Sequence, residues 1–363
     1  MKQIKVKLKE SPYPIFIGEN LKKEISGYLK DSKLGNFAVI ISSKKIHSLY
    51  KGFISTLTGK IPNIVISVAD GEAAKSKKWL FKIINEIMAI DTWNKKIFLV
   101  CFGGGTIGDL GGFAASIYKR GLPYIQIPTT LLSQIDSSIG GKTAIDLEKA
   151  KNVLGSFYQP KAVFIDSTFL KTLPLKEIRQ GMAEAIKYGV IADKNLFDFI
   201  DANHCRLMKL ESNPLKRLIF SCVKIKARIV EKDELENRGI RTVLNYGHTL
   251  AHALETASKY KKIPHGSAVS VGMAYAGRLS CYLGKCSEGE AVRVEKVLKS
   301  FGLPWNTAFD ASKIFKALVY DKKFISGKIR MVILYKIGKV EVLSGISPEV
   351  IKKTLALFTK TQH

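Results

Sequence analysis

An α/β domain built on a parallel sheet, followed by a mostly α-helical domain, is the fold class this sequence predicts. Three observations lead to it. In the first half, apolar β-rich runs alternate with helical stretches, the pattern of a parallel sheet covered on both faces. After Leu173-Pro174 the hydrophobic spacing becomes mostly helical. Between these regions lies a glycine-rich turn that joins a strand to a helix, an arrangement suited to binding an anion.

The elements follow in chain order. The opening MKQIKVKLKE alternates charge with Ile4, Val6 and Leu8, which reads as an amphipathic strand rather than the apolar core of a secretion signal. Residues 36–42 (NFAVIIS), 61–68 and 96–102 (KIFLVCF) read as buried strands, with a helix over 76–90. Residues 124–128 and 162–166 add short strands. Helices are expected over 176–190, 214–233, 243–258, 268–283 and 289–302, and one hairpin pairs 328–335 with 339–343. The boundary is placed near residue 174, giving domains 1–174 and 175–363.

Bulk properties narrow the function classes. The chain is 46% hydrophobic, enough for sizeable cores, and no apolar run approaches the ~18 residues of a membrane span. A cytoplasmic location without membrane contact is expected. Cys101, Cys205, Cys222, Cys281 and Cys286 are odd in number and contain no C-x-x-C, so reduced thiols are expected rather than a zinc knuckle or a disulfide framework. The net charge of +27 raises nucleic-acid binding. The lysines, however, fall in scattered pairs such as Lys77-Lys78 and Lys261-Lys262, with no long basic block and no aromatic RNP-type motif. Solvated faces are the expectation, with no nucleic-acid partner.

Strand KIFLVCF runs into Gly103-Gly104-Gly105-Thr106-Ile107-Gly108-Asp109, with a helix expected to begin at about Asp109. Glycines permit positive φ and close approach of a phosphate, and a helix N-terminus faces the same anion. The turn does not open the first βα unit, so an ordinary Rossmann arrangement is not expected. Asp70 to Lys75 (DGEAAK) forms a turn with a Glu–Lys pair. Residues 128–143 (PTTLLSQIDSSIGGKT) concentrate hydroxyls, Asp136, a Gly-Gly turn and Lys142, which suits a polyoxygenated anionic ligand.

Three of the six histidines lie within eighteen residues. His248 and His252 are four apart and share one helix face, and His265 returns on a later segment. Imidazoles so placed form a plausible metal cage, which a carboxylate from elsewhere would complete. Glu184, three residues before Lys187 in GMAEAIKYG, is a candidate carboxylate. There is no H-E-x-x-H, which excludes the usual metalloprotease pattern.

GGGTIGDLGGFAAS, KRG, PTTLLSQIDSSIGGKTA, KNVLGSFYQP, LKTLP, GMAEAIKYG, LNYGHTLAHALE, HGSAVSVGM and DKK occur in an order that resembles the 3-dehydroquinate synthase family, from about residue 65 to about 330. The resemblance implies an NAD-binding α/β domain of Rossmann-like variant form and a helical metal- and substrate-binding domain. It also implies a homodimer, NAD retained through the cycle, and zinc or cobalt. The substrate would be 3-deoxy-D-arabino-heptulosonate 7-phosphate, converted to 3-dehydroquinate and phosphate; other sugar phosphate cyclases, such as 2-deoxy-scyllo-inosose or valiolone-type synthases, are the alternative.

Carried onto this sequence, the metal ligands would be Glu184, His248 and His265. NAD contacts would come from Asp70, Gly71, Glu72, Ala73, Ala74, Lys75, Gly105, Thr106, Ile107, Gly108, Asp109, Thr129, Thr130, Lys142, Lys151, Phe169, Leu170, Lys171 and Thr172. Substrate contacts would include Arg120, Asp136, Lys142, Asn152, Lys187, Lys226, Arg241, Asn245, His252 and one or both of Lys322 and Lys323. His252 thereby becomes a proton-handling or supporting residue rather than a ligand. Three departures from the family pattern stand out: Ser267 where Glu often follows His-Gly, a longer loop over 233–239, and Ser42-Ser43-Lys44 where an acidic residue or Asn often follows the early strand.

Overall fold

The computed structural model describes residues 1–148, 150–257, 263–320, 324–325 and 328–360. Two compact units form: Met1–Leu173 with Lys226–Leu235, and Pro174–Ile225 with Glu236–His363. The return of Lys226–Leu235 to the first unit has no signal in the sequence pattern.

The first unit holds strands β1 (Lys2–Val6), β2 (Tyr13–Gly18), β3 (Phe37–Ser43), β4 (Asn63–Val68), β5 (Ile97–Gly103), β6 (Tyr124–Pro128), β7 (Lys142–Leu147), β8 (Ala150–Phe157) and β9 (Ala162–Asp166). Its helices are α1 (Lys22–Asp31), α2 (Lys44–Leu49), α3 (Lys51–Ile54), α4 (Lys77–Ile90) and α5 (Gly105–Ile117). Seven strands form one sheet in the order β1-β2-β9-β6-β5-β3-β4. Every pairing is parallel except the β1–β2 hairpin at one edge.

The apolar runs explain the layering. In β3, Val39 and Ile41 face one core with Leu80, Ile83 and Ile87 of α4 and Leu110 of α5. Ala38 and Ile40 face the opposite core with Ile25 and Leu29 of α1 and Leu21 at its N-cap. β5 divides in the same way, so both faces are apolar and the run reads as continuous. Each fully buried aliphatic chain contributes roughly 1.5–3 kcal/mol.

The second unit holds α6 (Leu175–Ala192), α7 (Lys194–Ala202), α8 (His204–Met208), most of α9 (Ser212–Lys232), α10 (His248–Ala257), α11 (His265–Tyr282), α12 (Glu288–Ser300), α13 (Ala311–Tyr320) and α14 (Pro348–Lys360). A small sheet, β10 (Phe324–Ile325), β11 (Lys328–Lys336) and β12 (Lys339–Ile346), contains the expected hairpin. Among the described residues, no helix is long and apolar enough to cross a membrane.

Three local expectations need correction. Helix α5 starts at Gly105, not near Asp109, because Gly104 already stands at its N-cap. The helix expected over 243–258 is split: a 3-10 turn covers Ile240–Asn245, Gly247 adopts φ +79, and α10 begins at His248. The antiparallel pair β7–β8 was not anticipated; only its first two residues, Lys142 and Thr143, fall in the segment read as ligand-rich.

Candidate functional site

In the first unit the polar residues collect around the carboxyl ends of β3, β5 and β6, where a parallel sheet commonly binds ligands. None of Gly103, Gly104, Gly105 or Gly108 has positive φ, which corrects the conformational reading of that turn. Their need is for space. A Cβ on Gly105 would lie 2.7 Å from Ser137 Oγ, one on Gly104 3.1 Å from Thr130 Cγ2, and one on Gly108 2.5 Å from Gln126 Oε1. The glycines therefore let the segment after β6 close onto the start of α5. Positive φ falls instead at Gly140 and Gly141, just before Lys142.

The Asp70–Lys75 turn is not a simple surface feature. Lys75 is 4% exposed, and its Nζ donates to Asp109 Oδ2 at 2.8 Å and to the Asn152 side-chain oxygen. Thr106 Oγ1 donates to Glu72 Oε2 at 3.0 Å, and Lys151 Nζ lies 3.9 Å from Glu72 Oε1. Asn152, at φ +54, is held by its N–H donating to Asp146 Oδ1 at 2.8 Å. Lys226 Nζ donates to Asp136 Oδ1 at 2.5 Å and to the Asp136 carbonyl at 2.8 Å, which gives a reason for the return of Lys226–Leu235. Burial pushes Asp109 up to about 6, against the pull of Lys75. The same cluster thus holds expected cofactor residues (Glu72, Lys75, Thr106, Asp109, Lys151) and the expected substrate residue Asn152, while Asp136 and Lys226 form a pair of their own.

Other expected cofactor residues fall into different classes. Ala74 and Ile107 are buried. Phe169 sits in an aromatic cluster with Tyr50, Phe53 and Phe102, and Leu170 is fully buried, so these two side chains belong to the core. Thr172 Oγ1 hydrogen-bonds Tyr50 Oη at 2.6 Å. Arg120, at φ +64, and Lys142 are exposed. The hydroxyls of Ser42, Thr129 and Ser137 are buried without a hydrogen-bond partner among the described residues. They line the carboxyl-edge region and suit a ligand rich in hydrogen-bonding groups, as a dinucleotide is.

The second unit brings three side chains together, one from mid-helix and two from helix N-termini. Glu184 lies in α6 with no exposure, His248 opens α10 and His265 opens α11. Glycines permit the approach. A Cβ on Gly272 would overlap the Gly247 carbonyl, so α11 packs directly on the turn before His248. A Cβ on Gly266 would lie 2.6 Å from the Gln180 carbonyl, so the first turn of α11 packs on α6. Ser267 joins this contact: its N–H donates to Gln180 Oε1 at 3.2 Å, and Gln180 Nε2 donates to Ser267 Oγ at 3.3 Å.

Glu184 Oε1 is 3.4 Å from His248 Nε2 and 3.6 Å from His265 Nε2. All three ligand atoms lie within 4.8 Å of one another, and this is the single such grouping among the described residues. Metal–ligand bonds of ~2.0–2.1 Å in a tetrahedron put neighbouring ligand atoms ~3.3–3.4 Å apart, close to the Glu184 distances. Neither Glu184 oxygen has a hydrogen bond of regular geometry, although Lys187 Nζ lies 2.5 Å from Oε2. Burial alone would raise the Glu184 carboxyl; Lys187 and His248 override it and hold the group well below the usual range.

The far side of each imidazole is also pinned. His248 Nδ1 lies 3.2 Å from the Tyr246 carbonyl and His265 Nδ1 lies 3.1 Å from Glu255 Oε1. Protons at Nδ1 leave Nε2 as the lone-pair donor toward Glu184. Burial pushes His248 below its ordinary value, which keeps it neutral. Burial also opposes protonation of His265, yet the nearby Glu184 and Glu255 carboxylates outweigh it and push the group up to about 10. A metal at Nε2 would displace that proton. The donor set, its spacing and its pinned tautomers fit a divalent ion.

Glu255 was missed by the sequence reading. Its signal was available, two helical turns after His248, but a helical Glu beside His residues has many uses. His252 lies with its ring centroid 5.8 Å from that of His248 and is not part of the close grouping. Arg241, buried, and Asn245 lie on the 3-10 turn before His248. Lys322 and Lys323 lie outside the described residues.

Comparisons with known proteins identify the family and the fold. Residues 65–180 match the family model described as 3-dehydroquinate synthase N-terminal, and residues 181–324 the one described as 3-dehydroquinate synthase C-terminal. A 3-dehydroquinate synthase of Thermodesulfovibrio yellowstonii is 42% identical over 359 residues, covering 98% of this chain and 99% of that protein. Among solved structures, 2-epi-5-epi-valiolone synthase from Streptomyces hygroscopicus subsp. jinggangensis 5008, with NAD+ and Zn2+ bound, superposes with a TM-score of 0.87 at 25% identity, covering 98% and 99% of the two chains. A 2-deoxy-scyllo-inosose synthase complexed with carbaglucose-6-phosphate, NAD+ and Co2+ shares the fold, with a TM-score of 0.86 at 24% identity and the same coverage. With both halves of the family model matched and identity above 40% across nearly the whole length, the chain belongs to the 3-dehydroquinate synthase family.

Proposed function

We infer that this chain converts 3-deoxy-D-arabino-heptulosonate 7-phosphate to 3-dehydroquinate and phosphate, a step of the shikimate route to aromatic amino acids, with NAD and a divalent metal, zinc or cobalt. The observation that carries this reading is the close Glu184–His248–His265 grouping, built on a buried carboxylate, in a chain of this family. When bound, NAD supplies a hydride acceptor that later returns the hydride, and the metal polarises the reacting hydroxyl.

The chain's own residues supply binding and proton control. Glu184, His248 and His265 hold the metal, with Glu255 and the Tyr246 carbonyl fixing the imidazoles. Lys75, Asp109, Glu72, Thr106, Lys151, Thr129, Thr130 and the 169–172 turn support the cofactor, with Lys142 between cofactor and substrate. Arg120, Lys142, Asn152, Lys187 and Lys322 or Lys323 hold the phosphate and carboxylate, where fixed cations also stabilise developing charge, and Arg241 is a further substrate contact. Asp136, Lys226, Asn245 and His252 complete the substrate set.

The order is oxidation at C5, loss of phosphate by β-elimination, reduction at C5, ring opening and intramolecular aldol closure. The departing phosphate takes the proton in the elimination, so much of the protein's contribution is positioning. A cytoplasmic homodimer is the working form; light scattering that reports only monomer under assay conditions sinks the dimer.

The test is phosphate release from the heptulosonate phosphate, with no net accumulation of NADH. A chelator should abolish release, and added zinc or cobalt should restore it. Full turnover after metal removal would falsify the metal assignment. Preferred turnover of glucose 6-phosphate or sedoheptulose 7-phosphate would move the chain to another cyclase class.

A further inference from the structure

Away from both polar centres, two thiols meet at one end of the second unit. Cys281 lies in the last turn of α11, and Cys286 immediately precedes Ser287, whose side chain caps α12. Their Sγ atoms are 3.3 Å apart. Both are partly exposed, whereas Cys101 and Cys222 are buried. Only a short turn separates them, and Gly284 within it adopts φ +66.

We propose that Cys281 and Cys286 form a redox-active dithiol that closes to an intramolecular disulfide by exchange with a low-molecular-weight disulfide. Closing the gap to an S–S bond of about 2.05 Å needs a displacement of little more than 1 Å. The side chains meet now through weak contacts that can yield. Cys281 S–H donates to the Ser287 carbonyl at 3.4 Å, and Cys286 S–H to the Gly277 carbonyl at 3.7 Å.

The exchange has an order. Burial, the Cys281 thiol and Glu290 push Cys286 up to about 12, so it is a poor first nucleophile at neutral pH. Cys281, as thiolate, attacks one sulfur of the small disulfide; an S–S bond forms, the small S–S bond breaks, and one thiolate leaves. Cys286 then loses its proton to solvent, attacks Cys281 Sγ and expels the second small thiolate. Two protein thiols are oxidised and one small disulfide is reduced to two thiols. His265 stands at the other end of α11, about 24 Å away at 1.5 Å per residue, so the pair is chemically separate from the metal centre.

The experiment incubates the folded full chain, carrying Cys205→Ser to remove the exposed thiol beside His204, with oxidised glutathione. Free thiols are then alkylated in denaturant, and the chain is digested with trypsin, which cuts after Lys285 between the two cysteines. Two peptides joined through Cys281 and Cys286 are expected, two hydrogens lighter than the separate thiols and separated by reductant. Cys101 and Cys222 should be recovered alkylated. In Cys286→Ser the product should stop as a glutathione adduct on Cys281. Recovery of both peptides fully alkylated, or adducts on both cysteines without the joined pair, overturns the proposal.

Discussion

The two polar centres are built on opposite principles. In the first unit the carboxylates and ammonium groups neutralise one another: Lys75 with Asp109, Lys226 with Asp136. The ligand such a cluster suits is polar and extended, and it must share partners that already have partners. In the second unit a fully buried carboxylate and two pinned imidazoles turn their lone pairs toward one point. Such a point suits a compact cation. The first centre rests on a parallel sheet and glycine-permitted packing; the second rests on the first residues of α10 and α11 meeting the middle of α6.

The contrast breaks most sharply at Glu184. Glu184→Gln should remove stoichiometric metal and cut turnover by ~10³-fold or more, since both the ion and its charge balance are lost. It should also leave the Lys187 ammonium, 2% exposed, without its carboxylate, at a cost of about 3–5 kcal/mol. Elemental analysis and a denaturant melt read the two effects separately. Retained metal at wild-type occupancy would end the ligand assignment.

Lys75→Met is the matching change in the first unit. It strands Asp109 and should cost about 3 kcal/mol in stability while weakening NAD affinity by roughly tenfold. Metal content should stay at the wild-type level. If NAD titration by fluorescence gives an unchanged Kd, Lys75 serves the fold alone.

Asp109 adds a pH signature of that unit. Its carboxyl is raised from 3.8 to about 6, so below about pH 4 it is protonated whether folded or not. As pH rises the unfolded chain ionises first. Stability contributed by this group is therefore lost between about pH 4 and pH 6 and stays level above. The 22% exposure of the side chain makes about 3 kcal/mol an upper bound. Melts from pH 4 to 7 should show a slope that Asp109→Asn flattens; equal slopes would contradict it.

The smallest effect is expected at Glu255. Glu255→Gln keeps an acceptor near His265 Nδ1 but removes the charge, and should lower metal affinity about 10–100-fold with the Glu184 set intact. Competition with a chromogenic chelator measures it. An unchanged affinity would make Glu255 a packing residue.

How much of this was legible in advance depends on range. The strands 124–128 and 162–166 were read to the residue, because a fully buried parallel strand has a continuous apolar signature. The break at Gly247 was hidden, because one glycine within helical spacing looks tolerable until Gly272 of a later helix needs that same space. Lys75 was named as a cofactor contact, but its partners Asp109 and Asn152 were not legible, because they are distant in sequence. Glycines 104 and 105 do not use the positive φ expected of them; what the fold requires there is contact with Thr130 and Ser137.

Sequence by itself determined the residue chemistry and the local periodicities: the alternating strands, the helical second half, the three histidines and the order of family motifs. These depend on neighbours within a few positions, where spacing and side-chain type are sufficient. Only the tertiary structure decided which atoms face each other. It brought the glutamate and two histidines that the family resemblance had named within reach of one point, supplied Glu255 and Tyr246 as their supports, and left His252 beside them. That decision rests on close helix packing at Gly247, Gly266 and Gly272, a long-range steric fact that no local pattern contains.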